Sequence, residues 1–178
     1  GGRQWQRRSV GLQGAQALQF PPGGVGWLLQ GGRIQRSTDS GRNWAPLPVP
    51  PALDGTVERL QWLDERHGFA SVRYRCSRFN CSWRLHASAD GGATWTERPD
   101  PEGHIGEVLL LDANRGVRFA YDKAYRTEDG GRSWLPAVID GGVSLLPQRV
   151  VVLPGGALLA MSTDRLLRSD DGGGRWRD

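Results

Sequence analysis

Lysine is almost missing from this 178-residue chain: Lys123 stands alone against 22 arginines. The arginine bias fits either genomic base composition or a use for planar, bidentate contacts to carboxylate or phosphate. A net charge of +4 is too mild to point to a partner. Long apolar runs are missing too. The longest candidate, 150–161, is interrupted by Pro154-Gly155-Gly156 and falls short of the roughly 20 residues a membrane-spanning helix needs. The chain opens Gly1-Gly2-Arg3, with no basic start, apolar stretch and cleavage site, so no export signal is legible. The three histidines, His67, His86 and His104, share no metal-ligand spacing, and every Gly-Gly belongs to a turn signal, with no phosphate-cradling loop among them. Neither a metal nor a cofactor is expected.

Turn formers and tryptophan are plentiful instead. With 26 Gly and 11 Pro, about a fifth of the positions favour turns over element interiors, which argues against long helices. The 8 Trp residues supply apolar area for a core of one or two domains, so disorder is excluded as the main state.

One short pattern organises the chain: a hydroxyl residue, any residue, Asp, any residue, Gly, two more, then Trp. It occurs as Ser37, Asp39, Gly41, Trp44; as Ser88, Asp90, Gly92, Trp95; as Thr127, Asp129, Gly131, Trp134; and as Ser169, Asp171, Gly173, Trp176. Gly1 to Trp5 is the second half of a fifth copy. At a turn, Asp accepts hydrogen bonds from backbone N–H groups further along, Gly takes a positive φ, and the hydroxyl bonds locally. The box therefore predicts a hairpin turn, its Asp structural rather than catalytic, with the Trp wedged between sheets at the start of the next strand.

The tryptophans recur at intervals of 39, 51, 39 and 42 residues, the length of four-stranded propeller blades. Inner strands at 18–20, 60–62, 108–110 and 150–152 each have apolar residues at period two. Four positions beyond Pro22, Asp64, Asp112 and Pro154 stand Gly26, Gly68, Gly116 and, breaking the column, Leu158. Second strands are expected at 27–30, 69–72, 117–120 and 159–162, third strands at 33–37, 84–88, 123–127 and 165–169, and fourth strands from each Trp onward. The expected fold is all-β: a propeller, or part of one, of four-stranded antiparallel blades spanning about 6–44, 45–95, 96–134 and 135–176. The half-box at the start reads as four blade intervals cut from a longer repeating frame. A compact four-blade closure and pairing with a second copy are the alternatives.

On these motifs the chain resembles the BNR or Asp-box repeat proteins. The Gly-aromatic strand starts (Gly26-Trp27, Gly68-Phe69) and the Asp-Gly-Gly-x-Ser/Thr-Trp boxes look most like the branch of photosystem II assembly and stability factors and their bacterial relatives. That resemblance implies a β-propeller of about seven blades, a periplasmic or secreted setting, and binding of a protein partner without catalysis. Sialidases and other glycoside hydrolases carry the same box, so a carbohydrate-active propeller, binding or hydrolysing glycans, is the competing reading. Sialidases also share an Arg-Ile-Pro segment, whereas Arg33-Ile34 is followed here by Gln35. Tyr74, Tyr121 and Tyr125 have no identifiable Glu partner, and nothing in the spacing of Glu58, Glu65, Glu107 and Asp112 selects the two carboxylates that glycoside hydrolysis requires.

The second repeat is the irregular one, about nine residues longer between its second and third strands. Its insertion holds Cys76 and Cys81, five apart across an expected hairpin tip, which fits a local disulfide in an oxidising compartment better than a zinc site; reduced thiols are the alternative. Arg73, Tyr74, Arg75, Arg78, Phe79, Trp83 and Arg84 interleave guanidinium and aromatic groups, the mixture enriched at protein interfaces. They form the candidate partner-binding loop, against the alternative of a solvated hairpin whose aromatics turn onto the sheet. The same mixture can bind anionic glycans or single-stranded nucleic acid, the latter being the weaker expectation.

Overall fold

The computed structural model of the chain describes residues 14–47, 55–76, 81–99, 108–120, 123–141, 149–161 and 165–178, with the backbone alone for Arg75, Cys76 and Cys81. Among the described residues every regular element is a strand, and no helix is long and apolar enough to cross a membrane. Blade 1 comprises β1 (Ala15–Gln19), β2 (Gly26–Gln30), β3 (Arg33–Ser37) and β4 (Ala45–Pro46). Blade 2 comprises β5 (Thr56–Trp62), β6 (Gly68–Cys76), β7 (Cys81–Ser88) and β8 (Thr96–Arg98). Blade 3 comprises β9 (Val108–Leu110), β10 (Gly116–Ala120), β11 (Lys123–Thr127) and β12 (Leu135–Ile139). Blade 4 comprises β13 (Arg149–Val152), β14 (Leu158–Met161) and β15 (Leu166–Ser169), with β16 (Arg175–Trp176) at its edge. The sheets are antiparallel meanders in chain order, and together they form a four-blade β-propeller.

A fourth strand completing blade 4 alone is what the repeat leads one to expect; the outermost strand is instead shared. Strand β16 pairs in parallel with β12 through Val138↔Arg175 and Ile139↔Trp176, and touches β15 by a single bridge, Arg168↔Arg177. The cause is an open edge. β12 runs past its partners on β11, and its spare donors find carbonyls on β16: Val138 N bonds Gly174 O and Asp140 N bonds Trp176 O, both at 2.9 Å. The other outer strands, β4, β8 and β12, begin one residue after the box Trp. The indole belongs to the turn, as Trp95 Nε1 shows by donating to Gly92 O at 3.1 Å.

The broken glycine column has a steric origin. A Cβ at Gly26 would lie 2.4 Å from the Phe20 ring, and one at Gly68 would lie 2.5 Å from the Trp62 ring. Glycine makes room there for a large side chain on the inner strand. In blade 4 the inner-strand residue is the small Val152, the register partner of Leu158, and Leu158 fills the space and is fully buried.

Three apolar cores lie between successive blades. Trp27, Leu29 and Ile34 of blade 1 meet Leu60, Trp62 and Trp95 of blade 2. Phe69 and Leu85 meet Leu110 at the next junction, and Val117, Phe119 and Ala124 meet Val150 and Trp176 at the last. Each face buries what a lone meander would leave wet. Two glutamines add polar stitches. Gln19 donates to Leu60 O and accepts from Trp62 N (2.5 and 2.7 Å), and Gln61 donates to Leu110 O and accepts from Leu110 N (2.6 and 2.9 Å). One amide thus gives the next blade's inner strand both a donor and an acceptor. Gln61→Ala is expected to cost about 1 kcal/mol, read as a lower urea midpoint at unchanged m-value.

Candidate functional site

The four boxes close with one geometry. The hydroxyl donates to the Asp in Ser37–Asp39, Ser88–Asp90, Thr127–Asp129 and Ser169–Asp171, at 2.8–2.9 Å. It accepts from the second glycine's N–H at 2.9 Å, at Gly41, Gly92, Gly131 and Gly173. The Asp accepts the backbone N–H four residues on, at Asn43, Thr94, Ser133 and Arg175. In three boxes the side chain at that position donates to the other carboxylate oxygen: Asn43 at 2.6 Å, Thr94 at 2.5 Å and Ser133 at 2.6 Å. In the fourth, Arg175 turns away to Asp140, with Nε at 2.9 and 3.1 Å from its two oxygens. In Asp39, Asp90 and Asp129 both carboxylate oxygens are engaged with the turn, as a structural role requires. Their pKa values are correspondingly low. The bonds from Asn43, Thr94 and Ser133 hold Asp39, Asp90 and Asp129 at about 2. In Asp171, burial pushes the carboxyl up but the Arg175 N–H and the Ser169 hydroxyl outweigh it, so the net direction is down.

Trp95 and Trp176 are buried, while Trp44 and Trp134 are half-buried. Trp44 belongs to a blade with no described blade before it, and its ring meets Phe20 edge-on, at 5.8 Å. Trp134 shares the buried Arg118 guanidinium with Tyr125, at 5.9 and 5.5 Å from the ring centroids. Arg118 is a core arginine that strand periodicity alone does not single out.

The insertion lengthens β6 and β7 into a hairpin longer than those of the other blades. Its register, Val72↔Arg84, Arg73↔Trp83, Tyr74↔Ser82, divides the candidate loop between two faces. Tyr74 and Arg84 lie on the face turned to blade 1. Tyr74 packs on that core, the Arg84 guanidinium sits 5.1 Å from its ring, and Arg84 pairs with Glu97 at 2.9 Å. Arg73 and the half-buried Trp83 lie on the opposite face, where Arg73 pairs with Glu58 at 2.7 Å. The backbones of Cys76 and Cys81 are register partners. Their side chains, that of Arg75, and Arg78 and Phe79 altogether, lie outside the described residues.

Below Arg73 and Trp83, the same face enters a groove of about 340 Å³ among the inner strands of blades 1, 2 and 3. Gln16, Glu58, Arg59, Ser71, Leu85 and Leu109 line it. A second, more polar trough of about 500 Å³ lies between blades 3 and 4, beside Arg115, Arg126, Glu128 and Asp170. Its charges are largely paired: Arg126 with Glu128, Arg115 with Asp112 and Asp170 with Arg168. Asp112 also caps its own turn, accepting from the N–H groups of Asn114 and Arg115. Among the described residues, no three His, Cys, Asp or Glu side chains converge as a metal site would require.

A scan against protein-family models and a search of curated proteins find no match. Solved structures match in fold. YCF48 bound to a D1 peptide superposes with a TM-score of 0.65 at 18% identity, over 93% of this chain and 53% of that one. YCF48 from Cyanidioschyzon merolae gives 0.65 and 18%, over 93% and 56%. An ancestral GH74 enzyme gives 0.68 and 17%, over 97% of this chain and 25% of the enzyme. At these identities the likeness is one of fold, and the chain spans about half the length of the YCF48 structures.

Proposed function

We propose that this chain is a non-catalytic propeller scaffold whose groove along the inner strands of blades 1, 2 and 3 takes an extended segment of a protein partner. The observation that carries the reading is the groove itself. Polar groups of Gln16, Arg59 and Ser71 alternate there with apolar surface (Leu85, Leu109), and Arg73 and Trp83 continue the same face along the extended hairpin. Such a surface offers a peptide both backbone hydrogen bonds and an aromatic anchor. The fold likeness to a propeller solved with a D1 peptide supports the same assignment. Of the described residues lining the groove, Glu58 is the only carboxylate, and it is held by Arg73, so the pair of acids glycoside hydrolysis needs is not assembled there. We assign the protein to a periplasmic or secreted setting, where the opposed Cys76 and Cys81 would close a cross-strand disulfide.

The test is selection of a displayed random-peptide library on the immobilised protein. A consensus sequence should emerge, and Trp83→Ala with Arg59→Glu should weaken its binding by at least tenfold with folding intact. Unchanged binding in both variants would remove the groove. The second reading, a carbohydrate-active propeller, is favoured by the GH74 likeness and by the polar trough between blades 3 and 4. It predicts signal on a glycan array or a fluorogenic glycoside panel, where the scaffold reading predicts none.

A further inference from the structure

At two junctions the residue three positions after the box Trp lies over the second glycine of the next blade's box. Between blades 1 and 2 it is Leu47, whose Cδ1 lies 2.8 Å from where a Cβ at Gly92 would stand. Between blades 2 and 3 it is Arg98, whose Cγ lies 3.8 Å from where a Cβ at Gly131 would stand. The arginine stem takes the leucine's place and carries the guanidinium out to the box of blade 3, where Nε donates to Gly130 O at 3.1 Å. Arg132, inside that box, donates from Nη1 to the neighbouring carbonyl, Asp129 O, at 2.7 Å, and the same nitrogen lies 3.8 Å from the Cβ position of Gly130. Two guanidinium groups are thus tethered to consecutive carbonyls of one turn, and Gly130, which both adjoin, adds no side chain to block them.

The pair is short of negative charge. Arg126, Arg168 and Arg175 are each matched by a carboxylate, that of Glu128, Asp170 or Asp140, whereas among the described residues Arg98 and Arg132 bond only to carbonyls. Asp129 is the acid whose charge bears on Arg98, and its two oxygens are bound within the turn by Thr127 and Ser133. Burial first, and then the charge of Arg132, push the Arg98 guanidinium below its ordinary pKa, with Asp129 opposing. Each guanidinium carries five N–H donors, so both tethers leave donors to spare.

We infer that Arg98 and Arg132 form a binding site for a phosphoryl group, taken as inorganic phosphate or as a phosphate monoester. A carboxylate has two oxygens and is satisfied by one guanidinium fork. A phosphoryl group has three terminal oxygens and a charge of about −2, enough to engage two guanidinium groups at once. The carbonyl tethers hold both side chains in place beforehand, so less rotamer freedom is lost when the anion binds.

Isothermal titration calorimetry with sodium phosphate, and with sodium acetate at equal ionic strength, tests this. Saturable binding of phosphate, tighter than that of acetate, is expected. Arg98→Leu is the informative variant, because Leu47 shows that the fold accepts leucine at this position. It should keep its near-UV circular dichroism and lose about tenfold in phosphate affinity, and Arg132→Gln, at an exposed site, should do the same. Arg168→Gln, whose parent side chain is matched by Asp170, should leave phosphate binding unchanged. O-phospho-L-serine as a second probe separates the sources: tighter binding than inorganic phosphate assigns the site to a phosphoryl group borne on a larger molecule, and weaker binding assigns it to the free ion. No saturable binding of either probe would overturn the inference, as would acetate binding as tightly as phosphate. So would a phosphate affinity indifferent to Arg98→Leu and Arg132→Gln, or one that falls equally in Arg168→Gln, which would reduce the effect to the general attraction of a basic chain.

Discussion

Trp62→Ala is expected to cost about 3–5 kcal/mol, the range of large aromatic truncations in a core. The indole stands at the junction of blades 1 and 2, stacked on Trp27 at 4.2 Å between centroids and 16° between planes. Its edge meets Trp95 at 5.7 Å and 69°. Removing it strips contact from both neighbours and leaves a void that cannot collapse, because the glycine opposite, Gly68, has no side chain to move in. Trp44→Ala is the internal control. It deletes a tryptophan of the same repeat family, but a half-buried one whose ring meets Phe20 edge-on, and about 1 kcal/mol is expected from the smaller area it covers. Urea unfolding of the two variants measures the contrast. Equal losses would mean that the tryptophans act through their own turns and that the stacked junction adds nothing.

The repeat was legible because its signals are local. β3 and β11 occupy the spans their alternation predicts, 33–37 and 123–127, and the hydrogen bonds of hydroxyl, Asp and Gly were readable from residue types at fixed offsets. The donor just before the Trp was legible only in part: Thr94 and Ser133 fit the Ser/Thr of the motif, whereas Asn43 does the same job with a different residue type. The glutamine stitches were hidden for a different reason. Gln19 and Gln61 occupy the middle of otherwise apolar triplets, and their partners lie 41 to 49 residues away. Pairing of β12 with β16 likewise depends on which edge donors remain unsatisfied after folding.

The candidate loop shows the same limit at the level of function. Read in one dimension, Arg73 to Arg84 is a single basic-aromatic cluster. Strand register splits it, because neighbours in sequence point to opposite faces. Tyr74 and Arg84 are committed to the core of blades 1 and 2 and to Glu97, while Arg73 and Trp83 border the groove among blades 1, 2 and 3. A contact surface assembled from three blades leaves no contiguous trace in the sequence, which is why the groove, with Gln16, Arg59 and Leu109 in its lining, emerges only from the folded arrangement.

Acid should unfold this protein through its box turns. Asp39, Asp90 and Asp129 are held at about 2 in the folded chain, against an ordinary carboxyl value of 3.8. A group whose folded pKa is depressed favours the folded state while ionised, so its contribution is complete above about pH 4 and is lost as pH falls through about 2. Three such groups titrating together predict a steep loss of stability in that window. Asp90→Ala isolates one of them. At pH 7 it removes the acceptor for the Ser88 and Thr94 hydroxyls and for the Thr94 N–H. The expected cost is about 2 kcal/mol, less than the sum of three charge-assisted bonds because water reaches the site and replaces part of them. As pH drops from 4 to 2 the difference between variant and parent should shrink, since the parent's carboxylate is then protonated and its advantage over alanine declines. Thermal melts of both proteins across that range provide the measurement. A difference that stays constant with pH would show that the ionised carboxylate is not the source of the turn's stability.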